Sequence, residues 1–101
     1  DIGATPLYVA AENGHTEVVS LLIRGGGALN QAKTDNGATP LYVAVQEGHT
    51  KLVSLLINSG AAVNQSITDD GTTPLHTAAF KGFTEVARLL IDGGAAVNQA
   101  R

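Results

Sequence analysis

The strongest constraint on the fold is an eight-residue string that occurs three times at a fixed interval. Residues 3–10 read GATPLYVA, residues 37–44 repeat these letters, and residues 71–78 read GTTPLHTA, so the copies start 34 residues apart. Between residues 3–30 and 37–64, 19 of 28 positions are identical. Such a period indicates a stack of copied units, because one unit cannot bury its apolar face alone.

Each copy contains the signals of two short helices. In the first copy, Thr5 is expected to cap a helix that opens at Pro6 and ends near Asn13, since a hydroxyl can accept from a free backbone N–H. Gly14 then breaks the helix, and a second one follows from about Thr16. The later copies predict helices over residues 40–47, 50–58, 74–81 and 85–92.

The second helix of the first copy carries an apolar stripe, and we expect its side chains to be buried: Val18, Val19, Leu22 and Ile23. Between helix pairs lie extended fingers, whose tips are the tight-turn sequences DNG at residues 35–37 and DDG at residues 69–71. The sequence therefore predicts one domain of three repeats, with boundaries at residues 1–32, 33–66 and 67–101.

Composition limits the classes of partner and compartment. The 6 Lys and Arg against 9 Asp and Glu give a net charge of −3, which offers no basic surface for nucleic acid. No apolar run approaches the roughly 20 residues of a membrane span. The chain has no cysteine, which favours a reducing compartment, with the cytoplasm first, or an engineered origin. It also has no methionine, which suggests a piece cut from something longer.

Several motifs together resemble the ankyrin repeat over the whole chain. They are the TPLH helix start at residues 73–76, the Gly-His breaks at residues 14–15 and 48–49, the outer-helix run VVSLLI at residues 18–23 and the Asp/Asn-Gly turns. The resemblance implies an all-α solenoid of stacked helix-turn-helix repeats joined by β-hairpin-like fingers. It also implies a protein–protein interaction module without catalysis, which binds on a concave face formed by the finger tips and first helices.

The chain departs from the family pattern at a few positions. The TPLH histidine, which usually braces the finger, is present as His76 but is replaced by Tyr8 and Tyr42 in the earlier repeats. The third break reads Gly82-Phe83, and Phe83 is expected to fill core or interface volume. Each change removes a polar partner that the family's brace uses at that position.

Candidate chemical sites have structural explanations. The three histidines could suggest a metal site, but packed helices lie roughly 8–10 Å apart, too far for equivalent histidines of two repeats to share one ion. The Gly25-Gly26-Gly27 run follows a helix and lacks the Lys-Ser/Thr of a phosphate loop. No serine has a base or acid at an orienting spacing. We therefore expect no catalytic residue, no metal and no cofactor.

The surface formed by the finger tips and first helices, called the recognition face below, carries the expected contacts with a partner. Phe80 is the candidate aromatic anchor. The net charge of this face is −4, which predicts a partner protein with a basic or mixed polar surface. The predicted contact residues are Asp35, Asn36, Ala38, Gln46, Glu47, Asp69, Asp70, Thr72, Phe80, Lys81, Glu12 and Asn13.

An alternative function is a structural repeat scaffold, engineered or excised, with no natural partner of its own. Terminal repeats normally carry a polar outer face. Neither end is rewritten in this way, since the first repeat keeps Val18 and Leu22 and the third keeps Ala87 and Leu90. The sequence therefore predicts that the chain belongs to a longer array or associates end to end.

Overall fold

Three helix pairs follow one another along the chain in the computed structural model, which describes residues 3–33, 35–67 and 70–98. The helices are α1 (Pro6–Glu12), α2 (Thr16–Arg24), α3 (Pro40–Gln46), α4 (Thr50–Asn58), α5 (Pro74–Lys81) and α6 (Thr84–Asp92). The prediction of an all-α repeat architecture is confirmed, and α1, α3 and α6 differ from their expected limits by one residue.

The first helix of every repeat starts in the predicted way. Thr5, Thr39 and Thr73 each accept a hydrogen bond from the backbone N–H three residues later, at 3.1, 3.1 and 3.3 Å. A proline occupies the first turn in all three cases, where its missing N–H removes no helical bond. This start fixes the point at which each finger ends and each helix pair begins.

The second helix of every repeat starts without a side-chain cap. Its N-cap residue is His15, His49 or Phe83, and none of the three side chains bonds the first turn. The preceding glycine is left-handed in each repeat, with φ between +71° and +74° at Gly14, Gly48 and Gly82. Helices this short are not stable alone, so packing between repeats must hold them.

The helices form two layers. Helices α1, α3 and α5 contact in sequence to make one layer, and α2, α4 and α6 make the other. The core lies between the layers and is deepest in the middle repeat, where every residue from Pro40 to Val45 is buried. Leu52, Val53 and Leu56 of α4 complete this centre at 1% exposure or less.

The expected burial of the α2 stripe is correct for Val19, which is fully buried, but it is wrong for Val18. Val18 is 46% exposed, whereas the equivalent Leu52 and Val86 of the other repeats are 1% and 2% exposed. Leu52 and Val86 belong to repeats that follow another repeat, whereas no described repeat precedes Val18. The difference in burial therefore follows the presence of a preceding repeat and not the local sequence.

The fingers are tight loops and not strand pairs. In the first finger the backbone N–H of Lys33 donates to Ala38 O at 2.8 Å, and in the second the N–H of Ile67 donates to Thr72 O at 2.9 Å. No β-strand occurs within the described ranges. In the first finger the backbone N–H of Gly37 also donates to Lys33 O at 3.0 Å, so the hairpin-like shape expected from the sequence is reduced to a few closing backbone bonds.

Helix length also bears on the membrane question. None of the helices in the described part of the chain is long and apolar enough to cross a bilayer.

Candidate recognition site

The finger tips are built by short acidic or amide side chains that accept bonds from their own loop. Asn36 Oδ1 accepts from the backbone N–H of Ala38 at 2.9 Å, and Asp70 Oδ1 accepts from that of Thr72 at 3.0 Å. Such turns hold the chain in the reversal that the sequence predicted. Asp35 and Asp70 are exposed beside these turns, and Asp69 lies outside the described residues.

Two predicted contact residues are in fact interior residues of the finger base. Ala38 is 2% exposed and Thr72 is 5% exposed, so their side chains offer almost no surface to a partner. Their backbone carbonyls close the two fingers, as described above. The prediction that their side chains contact a partner therefore finds no support, because they pack under the finger instead of at its tip.

Three of the predicted acidic contacts act together on one buried tyrosine. Burial raises the pKa of the Tyr8 hydroxyl above its ordinary 10.0, and Glu12, Asp35 and Glu47 raise it further through their negative charge. These carboxylates come from the end of α1, the first finger and the end of α3. They are therefore brought together by the fold, and we call Glu12, Asp35 and Glu47 the acidic cluster.

Lys33 partly neutralises this cluster from within the protein. Its Nζ atom lies 3.3 Å from Asp35 Oδ2 and 5.3 Å from the centre of the Tyr8 ring. The lysine side chain is 11% exposed, whereas that of Asp35 is 46% exposed. A cation is thus already stabilised over the tyrosine by the ring and by a carboxylate, while Glu12 and Glu47 have no ion pair among the described residues.

Phe80 stands at the other end of the recognition face. Its side chain is 90% exposed, the highest value among the large hydrophobic residues described as exposed. It borders a groove of about 590 Å³ whose other walls come from α3 and α5. We call this the Phe80 groove, and its lining residues are Tyr42, Gln46, His76, Thr77, Phe80 and Lys81.

The polar residues of the groove are held by bonds between repeats. Lys81 Nζ donates to the backbone carbonyl of Gln46 at 3.1 Å, which ties the end of α5 to the end of α3. The hydroxyl of Thr77 donates to Tyr42 Oη at 3.0 Å in a buried contact. Asn13, at the other side of the face, uses its amide to cap its own helix at Val9 O, at 2.9 Å.

Comparison with known proteins gives the family. A family model described as "Ankyrin repeats (3 copies)" matches residues 1–67, and one described as "Ankyrin repeat" matches residues 70–101. The chain belongs to the ankyrin-repeat family. A search of curated proteins returns no match. Ankyrin repeats are generally protein–protein interaction modules, and the family is non-catalytic.

The ankyrin brace is present in the third repeat and altered in the second. His76 Nδ1 accepts from the backbone N–H of Thr73 at 2.9 Å, which completes a reciprocal capping box at the start of α5. Tyr42 replaces the histidine in the second ankyrin repeat and bonds to Thr77 of the third. Tyr42 thus exchanges a bond within its repeat for one between repeats.

Tyr8 and Tyr42 of this ankyrin domain were not among the predicted contact residues. Both are buried beneath the recognition face, Tyr8 near the acidic cluster and Tyr42 at the base of the Phe80 groove. The signal was available, because both tyrosines stand where the family has a histidine. Among the described residues, no group of three or more His, Cys, Asp and Glu side chains is placed to hold a metal ion.

Proposed function

We propose that the chain binds a partner protein on its recognition face, where a basic side chain meets the acidic cluster and an apolar side chain packs against Phe80. The observation that carries the proposal is the large exposed side chain of Phe80 on the helix layer whose acidic residues Glu12, Asp35 and Glu47 all act electrostatically on Tyr8. The partner surface should therefore carry a basic side chain close to an apolar one.

The acidic cluster supports a positively charged ligand through its net charge. Three carboxylates against one lysine leave a negative excess, which draws a basic partner toward the face and speeds association. The Tyr8 ring itself is buried and already carries Lys33 at 5.3 Å, so the partner's cation is attracted by the carboxylates around the tyrosine and not by its ring.

Phe80 supports the apolar half of the contact. The side chain of Phe80 is 90% exposed, so a partner that covers it removes a large apolar surface from water. Truncation of such anchors weakens binding strongly. The surrounding groove of about 590 Å³ has room for a partner side chain beside the ring. We expect Phe80→Ala to weaken binding by roughly tenfold or more, the effect of an interface hot spot.

The test is a selection of random peptides displayed on phage against the wild-type chain, followed by binding kinetics of the selected peptides. The expected peptides carry Arg or Lys next to an apolar residue. Glu47→Lys should slow their association, and rising ionic strength should do the same in the wild type because charge steers the encounter. Phe80→Ala should instead speed their dissociation.

The matched control is Glu17→Lys, which reverses an exposed carboxylate on α2, in the other helix layer. It should leave the association rate of the selected peptides unchanged within about twofold. An association rate indifferent to salt and to Glu47→Lys would contradict the role of the acidic cluster. Selection of no peptide that depends on Phe80 or the acidic cluster would favour the alternative, a repeat scaffold without a partner of its own.

A further inference from the structure

The first joint between repeats has a specific lock. A Cβ atom built at Gly14 would lie 2.9–3.1 Å from three atoms of the His49 ring, so the imidazole of the second repeat rests on the bare glycine of the first. His49 Nε2 donates to the backbone carbonyl of Glu12 at 3.1 Å. The lock therefore has two parts. A ring of one repeat covers a glycine of the preceding repeat, and a side-chain donor bonds the last carbonyl of that repeat's first helix.

The second joint reproduces this lock with different residues. The Phe83 ring lies over Gly48, with its nearest atom 3.3 Å from a built Cβ. Phenylalanine cannot donate a hydrogen bond, and Lys81 Nζ supplies the donor to the carbonyl of Gln46. The equivalent carbonyl thus receives a donor from the next repeat at both joints.

Both joints also share a bond through the loop that follows the second helix. Asn30 Oδ1 accepts from the backbone N–H of Ala62 at 2.8 Å, and Asn64 Oδ1 accepts from that of Ala96 at 2.8 Å. The second joint adds an apolar contact, because Ile57 Cγ2 would lie 2.8 Å from a Cβ at residue 93, which is glycine.

The C-terminal face presents one half of this joint with nothing from the described chain upon it. A Cβ at Gly82 would meet no atom within 4 Å, and Ile91 is 47% exposed. Asn98 is exposed, and its amide makes no hydrogen bond with the described residues. Gly82, Ala79 and Ile91 border a groove of about 450 Å³. We call this surface the socket face.

The N-terminal face presents the other half. His15 is exposed, where the equivalent His49 and Phe83 are packed into joints. Val9, Val18 and Leu21 are 42%, 46% and 61% exposed. This surface, called the plug face, also carries Gly25 and the backbone N–H of Ala28, which donates to no described atom.

We infer that the plug face of a second copy of this chain docks on the socket face, continuing the stack through a third joint of the same kind. The His15 ring of the second copy covers Gly82 and donates to the carbonyl of Phe80. Ile91 packs on the second copy's Gly25, as Ile57 does on Gly93. Asn98 Oδ1 accepts from the backbone N–H of the second copy's Ala28, as Asn30 and Asn64 accept from Ala62 and Ala96.

This contact is heterologous, since it joins two different faces of the molecule. A heterologous contact that does not close into a ring propagates, so each added copy offers a new socket face. The stack should therefore lengthen with concentration instead of stopping at a dimer. The proposal does not rest on partner binding at the recognition face, because the proposed joint uses no side chain of the acidic cluster and only the backbone carbonyl of Phe80.

The test is sedimentation velocity of the full chain from micromolar to millimolar concentration, with two blocking variants. Val18→Glu places a charge on the plug face and Ile91→Glu places one on the socket face, both at exposed positions where folding should be retained. The weight-average mass of the wild type should at least double over this range. Each variant alone should remain monomeric, and their equimolar mixture should form a dimer and no larger species.

The mixture distinguishes the proposed joint from any other. The Val18→Glu variant keeps an intact socket face, and the Ile91→Glu variant keeps an intact plug face. A head-to-tail contact can therefore join one molecule of each variant, and no further joint can form. Lys51→Gln matches the charge change of each variant on α4, away from both ends, and should associate like the wild type. Leu21→Glu provides a second plug-face block, and circular dichroism checks that every variant is folded.

Three outcomes would overturn the inference. One is a wild type that stays monomeric at millimolar concentration. Another is self-association of Val18→Glu alone, which would mean that two identical faces meet. The third is association that survives in Val18→Glu, Leu21→Glu and Ile91→Glu alike, because the contact would then use some other surface.

Discussion

The lock between repeats predicts that one substitution, glycine to alanine after the first helix, has a graded effect on stability. Gly14, Gly48 and Gly82 share a left-handed backbone, with φ of +73°, +74° and +71°. An L-residue in that conformation costs about 1–2 kcal/mol, and this part is common to all three variants. The three sites differ only in what a new methyl group would meet.

The differences follow from the distances. At Gly82 the methyl group meets no atom within 4 Å, so Gly82→Ala should cost about 1–2 kcal/mol from the backbone alone. At Gly48 the Phe83 ring lies 3.3 Å away and has to move by a few tenths of an ångström. At Gly14 the His49 ring lies 2.9 Å away, which is closer than a Cβ contact allows.

The extra cost at Gly14 comes from displacing a tethered ring. His49 donates to Glu12 O at 3.1 Å, and losing a bond of this kind costs about 0.5–1.5 kcal/mol. Overpacking at the joint adds strain of similar size. Gly14→Ala should therefore be less stable than Gly82→Ala by about 1–3 kcal/mol, with Gly48→Ala between them.

The measurement is urea unfolding followed by circular dichroism at a low concentration where the chain is monomeric. The urea midpoint should be highest for Gly82→Ala, intermediate for Gly48→Ala and lowest for Gly14→Ala, with similar slopes. In a His49→Ala background the additional cost of Gly14→Ala should vanish, because the ring that it displaces is gone. Equal midpoints for Gly14→Ala and Gly82→Ala would refute the lock.

Three further predictions concern polar groups. Tyr42→Phe leaves the buried Thr77 hydroxyl without its acceptor, and thermal unfolding should show a loss of about 0.5–1.5 kcal/mol. Folding raises the pKa of Tyr8, so its contribution to stability is complete below pH 10.0 and is lost as pH rises through the folded pKa. In alkaline solution the denaturation midpoint of Tyr8→Phe should therefore fall less steeply with pH than that of the wild type. Asn64→Ala should lower monomer stability by about 1 kcal/mol because it breaks the bond to the next repeat, whereas Asn98→Ala should leave it unchanged and weaken only self-association in sedimentation.

Most of the fold was decided by local sequence. The Thr-Pro pairs predicted the starts of α1, α3 and α5 because capping and the fixed φ of proline act within one turn of the backbone. The 34-residue period predicted the number of repeats because each copy needs a neighbour to bury its apolar side. Gly14, Gly48 and Gly82 were predicted as breaks because glycine reaches positive φ without a Cβ clash.

Burial and the composition of the recognition face depended on the tertiary structure. Equivalent positions have nearly the same local sequence, yet Val18 is 46% exposed and Leu52 is 1% exposed. Ala38 and Thr72 were predicted to contact a partner, but the structure buries them at 2% and 5% exposure.

The sequence by itself determined a stack of ankyrin repeats, because its helix caps, breaks and period are short-range properties copied from repeat to repeat. The tertiary structure decided which copies of each residue are covered, since that depends on whether another repeat lies on the same side. It also assembled the acidic cluster, because Glu12, Asp35 and Glu47 belong to two repeats and raise the pKa of Tyr8 together only when those repeats are stacked.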